Sequence, residues 1–460
     1  MKKNSLTYIL LSTIFFIPSL LNFFSGDDWF HLRVSQIGSF KEFLNFFSLV
    51  RTSQSIAFYR PLPTQGFFFI FQRLFGLNPP PYHLFVLFCF GYSLYLLHHF
   101  VKLLTANKQV AIIAVLIYGF SVSNFTRLYF LSAFQEIALV IFSLLTLTSY
   151  LENKRKKSLV FFLLALLSKE TAIVLPFLII ITAWLNKKIK IPNFLPYFAL
   201  LVPYLYLRFR VFGATAGDTY LWNFSPVKAL NTLTWYILWA IGSPELLVDY
   251  IGSGFKPIPR FFTDFHLWWP WIILPLVILI LLSVYLLFKN YVKERRNITY
   301  GVLFFMLSIS PVLFLPTHKF SLELGLPLVG FSLVMALLLP KSKLANLFLV
   351  VFIFYNLAMN YLTYTTHYSV NRGKISQKTY EYFVRNYPKE PTNSYLEFIN
   401  DTPSYTKEWG SSRQVSNAIG GSELFRVLYH DPGYTVYFED FPFARPQMQV
   451  IKISSKIFLE

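Results

Sequence analysis

Long apolar runs separated by short basic clusters set the pattern of this chain. A membrane-crossing helix needs about 20 apolar residues. By that measure spans are predicted over 6–24, 82–104, 108–123, 129–150, 192–211, 267–288, 299–316, 321–339 and 344–363. Residues 158–185 are also apolar, but Ser168-Lys169-Glu170 interrupts them and both flanks are basic. That combination predicts a tight hairpin of two short helices turning near Lys169, so that both flanks stay on one side. With the hairpin counted as two, the expectation is about 11 transmembrane helices. The first run follows Met1-Lys2-Lys3 and lacks a small-x-small cleavage site, as expected of an uncleaved anchor.

The clusters Lys154-Arg155-Lys156-Lys157, Lys187-Lys188 and Lys289 to Arg296 lie between spans. Under the positive-inside rule they place the N-terminus in the cytoplasm and the C-terminal part outside a cell membrane. Residues 1–363 then form the transmembrane domain, with outer loops 25–81 and 212–266. Within the second loop, 227–248 is expected to be partly embedded. Residues 364–460 are polar, with Gly, Pro, Asn and mixed charge. They read as a small extracytoplasmic α/β domain, with helices over 374–386 and 413–428 and strands near 394–399 and 434–438. The fold class is thus an all-α polytopic membrane protein with a small α/β C-terminal domain. There is no internal repeat, which disfavours a secondary transporter.

Composition narrows the function classes. Only 14% of the 460 residues are charged, against about 25% in a soluble globular chain. Hydrophobic residues make up 55% and aromatics 20%, which excludes a disordered chain and argues against a wholly soluble enzyme. The net charge of +19 falls mostly in the short inter-span clusters, not on one folded patch, so nucleic acid is not an expected partner. A single cysteine, Cys89, leaves no internal disulfide, and no Cys/His spacing resembles a zinc site.

The polar residues near the outer ends of spans carry the candidate chemistry. Asp27-Asp28 directly follow the first span, with His31 three residues on. Adjacent carboxylates repel, which raises one pKa unless a cation or hydrogen bond compensates. Such a group can act as general base or help hold a divalent cation such as Mg or Mn, although no full ligand set is visible. The plain alternative is a solvated loop with an Asp helix cap. Tyr59-Arg60 precede a short interfacial helix over 64–75, and His83 opens the second span. Arg60 either snorkels or grips a lipid phosphate. Lys169-Glu170 sit within an apolar run, where ionisable groups are expensive and mark a site by default, unless they simply pair. Gln135-Glu136, with Arg127 just before, invite the same argument. Arg208 and Arg210 close the span 192–211, and His318, Lys319 and Glu323 form a last outer cluster. Carboxylates and cations gathered at one face suit a lipid-linked donor entering sideways from the bilayer and an acceptor arriving from water.

At these residues the sequence resembles the GT-C superfamily of membrane glycosyltransferases. It is similar to the bacterial relatives of protein O-mannosyltransferases and of TPR-containing transmembrane mannosyltransferases. The resemblance rests on Asp27-Asp28, Tyr59-Arg60-Pro61-Leu62, Phe75 to Pro79 leading to Tyr82-His83-Leu84, Leu166 to Glu170, Tyr206-Leu207-Arg208, and Pro244 to Tyr250. It covers roughly residues 1–340. It implies sugar transfer from a polyprenyl-phosphate sugar to a protein, lipid or glycan acceptor outside the cytoplasm. Asp27 would be the base and Asp28 its assistant. Arg60, Lys169, Arg208 and Lys319 would face the phosphate. His31, Tyr59, His83, Glu136, Glu170 and Glu323 would support the site or the acceptor. The chain departs from the family where Glu-Arg-Tyr is usual: Glu323 is followed by Leu324 and Gly325. It also lacks the His-Pro element near Glu136 and the TPR repeats. Other classes stay open: an O-antigen polymerase or ligase, a lipid or sugar transporter, and an inert scaffold.

Overall fold

The computed structural model describes residues 3–54, 58–187, 191–213, 220–339, 343–400, 410–444 and 446–459. It is mainly helical. Among the described residues four helices are long and apolar enough to cross a membrane: Pro79–Thr105, Leu131–Leu151, Trp269–Val312 and Leu344–Asn386. A fifth follows if Lys108–Phe120 and Val122–Tyr129, bent by 58°, are one span. Leu6–Leu21, Glu170–Leu185 and Pro327–Leu338 are shorter apolar helices. The expected total of 11 came from counting apolar runs, and the structure divides and joins those runs differently.

The clearest joining is at the third basic cluster. The spans expected over 267–288 and 299–316 fall within Trp269–Ile309, where two helices run together across a kink at Glu294. Residues 289–297 contain no Gly or Pro and are rich in helix formers, so the two helices meet at a kink and not in an open loop. Only Glu294, at φ −116° and ψ 18°, leaves helical geometry. Packing further along is close: a Cβ on Gly330, in the helix Pro327–Leu338, would lie 2.6 Å from the Gly301 carbonyl oxygen. Small residues let two helix backbones approach in this way.

Residues 158–185 are divided. The helix Arg155–Leu166 ends, Lys169 is extended at φ −158°, and the chain resumes as Glu170–Val174 and Leu175–Leu185. Tyr197 donates to Ser158 Oγ at 2.6 Å near the start of this segment. Arg296 donates to the Trp184 carbonyl at 2.5 Å near its end. Lys169 is therefore displayed at the turn, away from both basic flanks.

The polar tail begins with the helix Tyr368–Asn386, whose N-terminus is capped by His367 accepting from Ser369 N. Three parallel strands follow: β1 (Ser394–Ile399), β2 (Tyr437–Phe438) and β3 (Gln449–Ser454), in the order β2-β1-β3. The central strand buries Tyr395 to Phe398, as expected of a parallel strand covered on both faces. Helices Ser411–Ile419 and Glu423–Tyr429 connect β1 to β2. Phe383 meets Phe398 and Phe425 at ring distances of 5.9 and 4.7 Å, joining the first tail helix to the sheet and its crossover.

This tail docks on the loop after the first helix. Gly26 N donates to the Ala418 carbonyl at 2.7 Å, and Trp29 Nε1 donates to Ser376 Oγ at 2.8 Å. Arg33 forms an ion pair with Glu423. A Cβ on Gly420, whose φ is +68°, would lie 2.7 Å from the Gly26 carbonyl oxygen. The junction therefore needs glycine for both conformation and space.

Candidate active site

A cavity of about 1340 Å³ opens where this junction meets the helix ends. Described residues of the loop 25–81, the turn at Lys169, residues 204–209 and 220–222, the cluster 317–323 and the tail all contribute walls.

Asp27 and Asp28 begin the helix Asp27–Ser35, behind Gly26 at φ 52°. Successive residues on a helix point about 100° apart, so the two carboxylates separate. Asp28 is buried. Its Oδ2 accepts from Ser25 N at 3.0 Å, and its Oδ1 accepts from Ser132 N at 2.7 Å and Ser132 Oγ at 2.5 Å. Burial nevertheless pushes its pKa up to about 7. Asp27 is exposed to the cavity and has no hydrogen-bond or ion-pair partner among the described residues. The protein around it raises its pKa by desolvation, while Arg372 and then Arg60 pull it back down. His31, on the same helix, also lines the cavity. Burial, helped by Arg60, lowers its pKa to about 3, so the ring stays neutral.

Arg60 follows Tyr59, whose backbone is left-handed at φ 47°. Tyr59 lies outside the cavity: it stacks on Phe212 at 4.7 Å and donates to the Phe47 carbonyl at 3.2 Å. The sharp turn it holds sends Arg60 inward. Arg60 Nε donates to Glu170 Oε2 at 2.7 Å, and its two Nη groups bond Glu170 Oε1 and Gln135 Oε1. This is a bidentate fork on a carboxylate, among the stronger charged contacts. Lys169 is buried between two carboxylates, bonding Glu136 and, at 2.6 Å, Glu323 Oε2. His318 Nε2 stands 3.8 Å from Glu323 Oε1 and stacks on Tyr220 at 4.2 Å.

Beside this network, a Cβ on Gly325 would lie 2.9 Å from Arg127 Nη1 and 3.2 Å from Glu136 Oε2. Arg127 thus fills the space where a side chain at 325 would stand. It donates to Asn124 Oδ1 at 2.5 Å and lies over the Tyr118 ring.

Lys319 is different in kind. Its Nζ donates to Asn231 Oδ1 at 3.2 Å, and no carboxylate lies within ion-pair reach among the described residues. Burial lowers its pKa. Arg208, in the π-helical turn Arg208–Phe212, reaches the Gly213 carbonyl and lines the same cavity.

Of the residues singled out in the sequence, Asp27, His31, Arg60, Lys169, Glu170, Arg208, Lys319 and Glu323 line one cavity. Glu136 stands behind Lys169, and Asp28 behind the helix start. His83 lies elsewhere, buried with Nδ1 3.1 Å from the Leu128 carbonyl. Sequence reasoning missed Arg372 and His367 in the tail and gave Glu245 no role, although all three line the cavity. Glu245 accepts from Ser321 N at 2.7 Å and Ser321 Oγ at 2.5 Å. His367 Nδ1 accepts from Ser369 N, which leaves Nε2 to carry the proton facing Glu245 Oε1 at 3.6 Å. The signal for Glu245 was its place in Pro244 to Tyr250. Arg372 had none, being one of several basic residues in a mixed-charge helix.

The acidic pair does not fit a divalent cation. Both Asp28 oxygens already accept hydrogen bonds, which leaves Asp27 alone. No group of three His, Cys, Asp or Glu residues suited to a metal occurs among the described residues.

No family model and no curated protein matches the chain. Among solved structures it is similar to ArnT from Cupriavidus metallidurans bound to undecaprenyl phosphate. The identity is 11%, the TM-score is 0.46, and the match covers 94% of this chain and 89% of that one.

Proposed function

We propose that the chain is a membrane glycosyltransferase that moves a sugar from a polyprenyl-phosphate donor to a hydroxyl-bearing acceptor at the outer face. The observation that carries this reading is the contrast among the cavity carboxylates. Glu170, Glu245 and Glu323 are all engaged by hydrogen bonds or ion pairs. Asp249, also on the cavity, has an interaction of its own, and Asp27 is exposed there without a partner among the described residues.

In this reading Asp27 takes the proton of the acceptor hydroxyl. The hydroxyl oxygen bonds to the anomeric carbon as the bond from that carbon to the phosphate oxygen breaks, with inversion. The phosphate leaves with the bonding electron pair and gathers negative charge, which calls for placed cations. Lys319 supplies a compact charge with no carboxylate in ion-pair reach among the described residues, and Arg208 lies on the same cavity. Arg60 engages a phosphate by exchanging Glu170. Lys169 acts mainly by holding Glu136 and Glu323 in place. The apolar helices offer a surface suited to a polyprenyl chain. No step requires a metal.

The test is consumption of radiolabelled mannosyl-, glucosyl- and aminoarabinosyl-phosphoryl polyprenols in membranes with and without the expressed chain. Chain-dependent loss of one donor, with release of polyprenyl phosphate, is expected. Equal pools with every donor would sink the proposal.

A further inference from the structure

The tail supplies part of the cavity wall, and that wall holds polar groups without partners among the described residues. Arg372, on the helix Tyr368–Asn386, lines the cavity. Its guanidinium lies 4.7 Å from the Tyr368 ring and has no carboxylate or carbonyl partner among the described residues. Asn417, on Ser411–Ile419, also faces the cavity, and its side-chain amide is likewise unpartnered among the described residues. Both stand near Asp27. The Asn417 carbonyl oxygen lies 3.5 Å from a Cβ placed on Gly26, and Gly26 N is bonded to Ala418. Of the charged groups acting on the Asp27 carboxylate, Arg372 has the largest effect.

We infer that Arg372 and Asn417 form an acceptor subsite for an oxyanion, a carboxylate or phosphate ester carried by the same molecule that offers its hydroxyl to Asp27. This rests on the transferase reading for the side to which it is assigned. With inversion, the nucleophile and leaving group lie on opposite sides of the anomeric carbon. A cation on the side of the base therefore meets the acceptor. Lys319 and Arg208, on other elements, are left to the leaving group. A guanidinium fork matches a planar carboxylate or a phosphate, and an adjacent amide donor completes the recognition. An anion on Arg372 also offsets its positive charge beside Asp27. The carboxylate then becomes more basic as the acceptor arrives.

The test is equilibrium binding to the full-length, detergent-solubilised protein. The probes share one scaffold: octyl β-glucoside, octyl β-glucuronide and octyl β-glucoside 6-phosphate. Wild type is expected to bind at least one anionic probe about tenfold more tightly than the neutral one. The probe that is preferred shows whether the natural oxyanion is a carboxylate or a phosphate. Arg372→Ala is expected to erase the preference and leave octyl β-glucoside binding unchanged. Arg372→Lys, which keeps charge but not the fork, is expected to retain part of it, and Asn417→Ala to reduce it. Undecaprenyl phosphate binding is expected to survive Arg372→Ala.

Equal affinity for all three probes in wild type overturns the subsite. So does a preference that survives Arg372→Ala. Loss of undecaprenyl phosphate binding in Arg372→Ala, with the probe preference intact, assigns Arg372 to the leaving group and also overturns it. Because binding needs no turnover, a charge preference that depends on Arg372 supports the subsite even if no donor is consumed. That last result would fail the transferase reading alone.

Discussion

Asp28 Oδ1 accepts both the backbone N–H and the hydroxyl of Ser132, more than a hundred residues further along, while its neighbour Asp27 has no hydrogen-bond or ion-pair partner among the described residues. One carboxylate fastens the loop after the first helix to the start of the helix Phe134–Leu151. The other faces the cavity. Asp28→Ala removes the acceptor of three hydrogen bonds in a buried setting and is expected to cost about 3 kcal/mol or more. Ser132→Ala, which removes only the hydroxyl, is expected to cost about 1 kcal/mol. Thermal unfolding in detergent separates these from Asp27→Asn, which should leave the midpoint nearly unchanged.

The Asp27 environment sets a pH dependence. Its pKa in the folded protein is raised above the ordinary 3.8, chiefly by desolvation. As a base it acts deprotonated, so activity is present above that raised pKa and falls as pH drops through it. Arg372 lowers the same pKa, so Arg372→Ala is expected to move the acid limb of kcat/KM to higher pH. For stability the sign is opposite. A carboxyl whose folded pKa is raised favours the folded state at low pH, and that contribution is lost as pH rises through the folded value. Asp27→Asn should therefore look relatively more stable at pH 8 than at pH 5. A limb that stays in place in Arg372→Ala would contradict the assigned proximity.

Lys169 bonds two buried carboxylates at once. Lys169→Met strands Glu136 and Glu323 and is expected to destabilise by about 3–5 kcal/mol. Removing the stranded charges as well, in Lys169→Met with Glu136→Gln and Glu323→Gln, should recover most of the unfolding midpoint. Recovery without activity would place the network in support of the site. Unchanged stability in the single variant would refute the pairing.

The tail junction tolerates no side chain at Gly420. Gly420→Ala combines a left-handed backbone with a contact of 2.7 Å to the Gly26 carbonyl, and should cost about 1–2 kcal/mol. The loss is expected locally, as faster amide exchange in Ser411–Ile419 and Glu423–Tyr429, and not in Trp269–Ile309. Uniform exchange changes would argue against a docked tail.

Local signals carried the sequence reading furthest. The break at Ser168-Lys169-Glu170, the acidic pair and β1 at 394–399 all follow from patterns within a few residues. The basic cluster at 289–297 marks the boundary between two helices, and without Gly or Pro that boundary is a kink at Glu294 and not a loop. β3 was overlooked although Val450, Ile451 and Ile453 make a short β-branched run. Which member of Asp27-Asp28 is free depends on Ser132, and the roles of Arg372 and Glu245 depend on contacts between distant segments. No local pattern encodes such meetings. Arg127 filling the space beside Gly325 is of the same kind: two residues noted separately in the sequence become a pair only once the helices are packed.

The central claim is that Asp27 is the base of a lipid-linked sugar transfer. It is tested most directly by single-turnover release of polyprenyl phosphate from a radiolabelled donor, comparing wild type with Asp27→Asn at matched expression and unfolding midpoint. The account predicts a fall of about 100-fold or more in the mutant with donor binding retained. Equal release rates in the two proteins would contradict it.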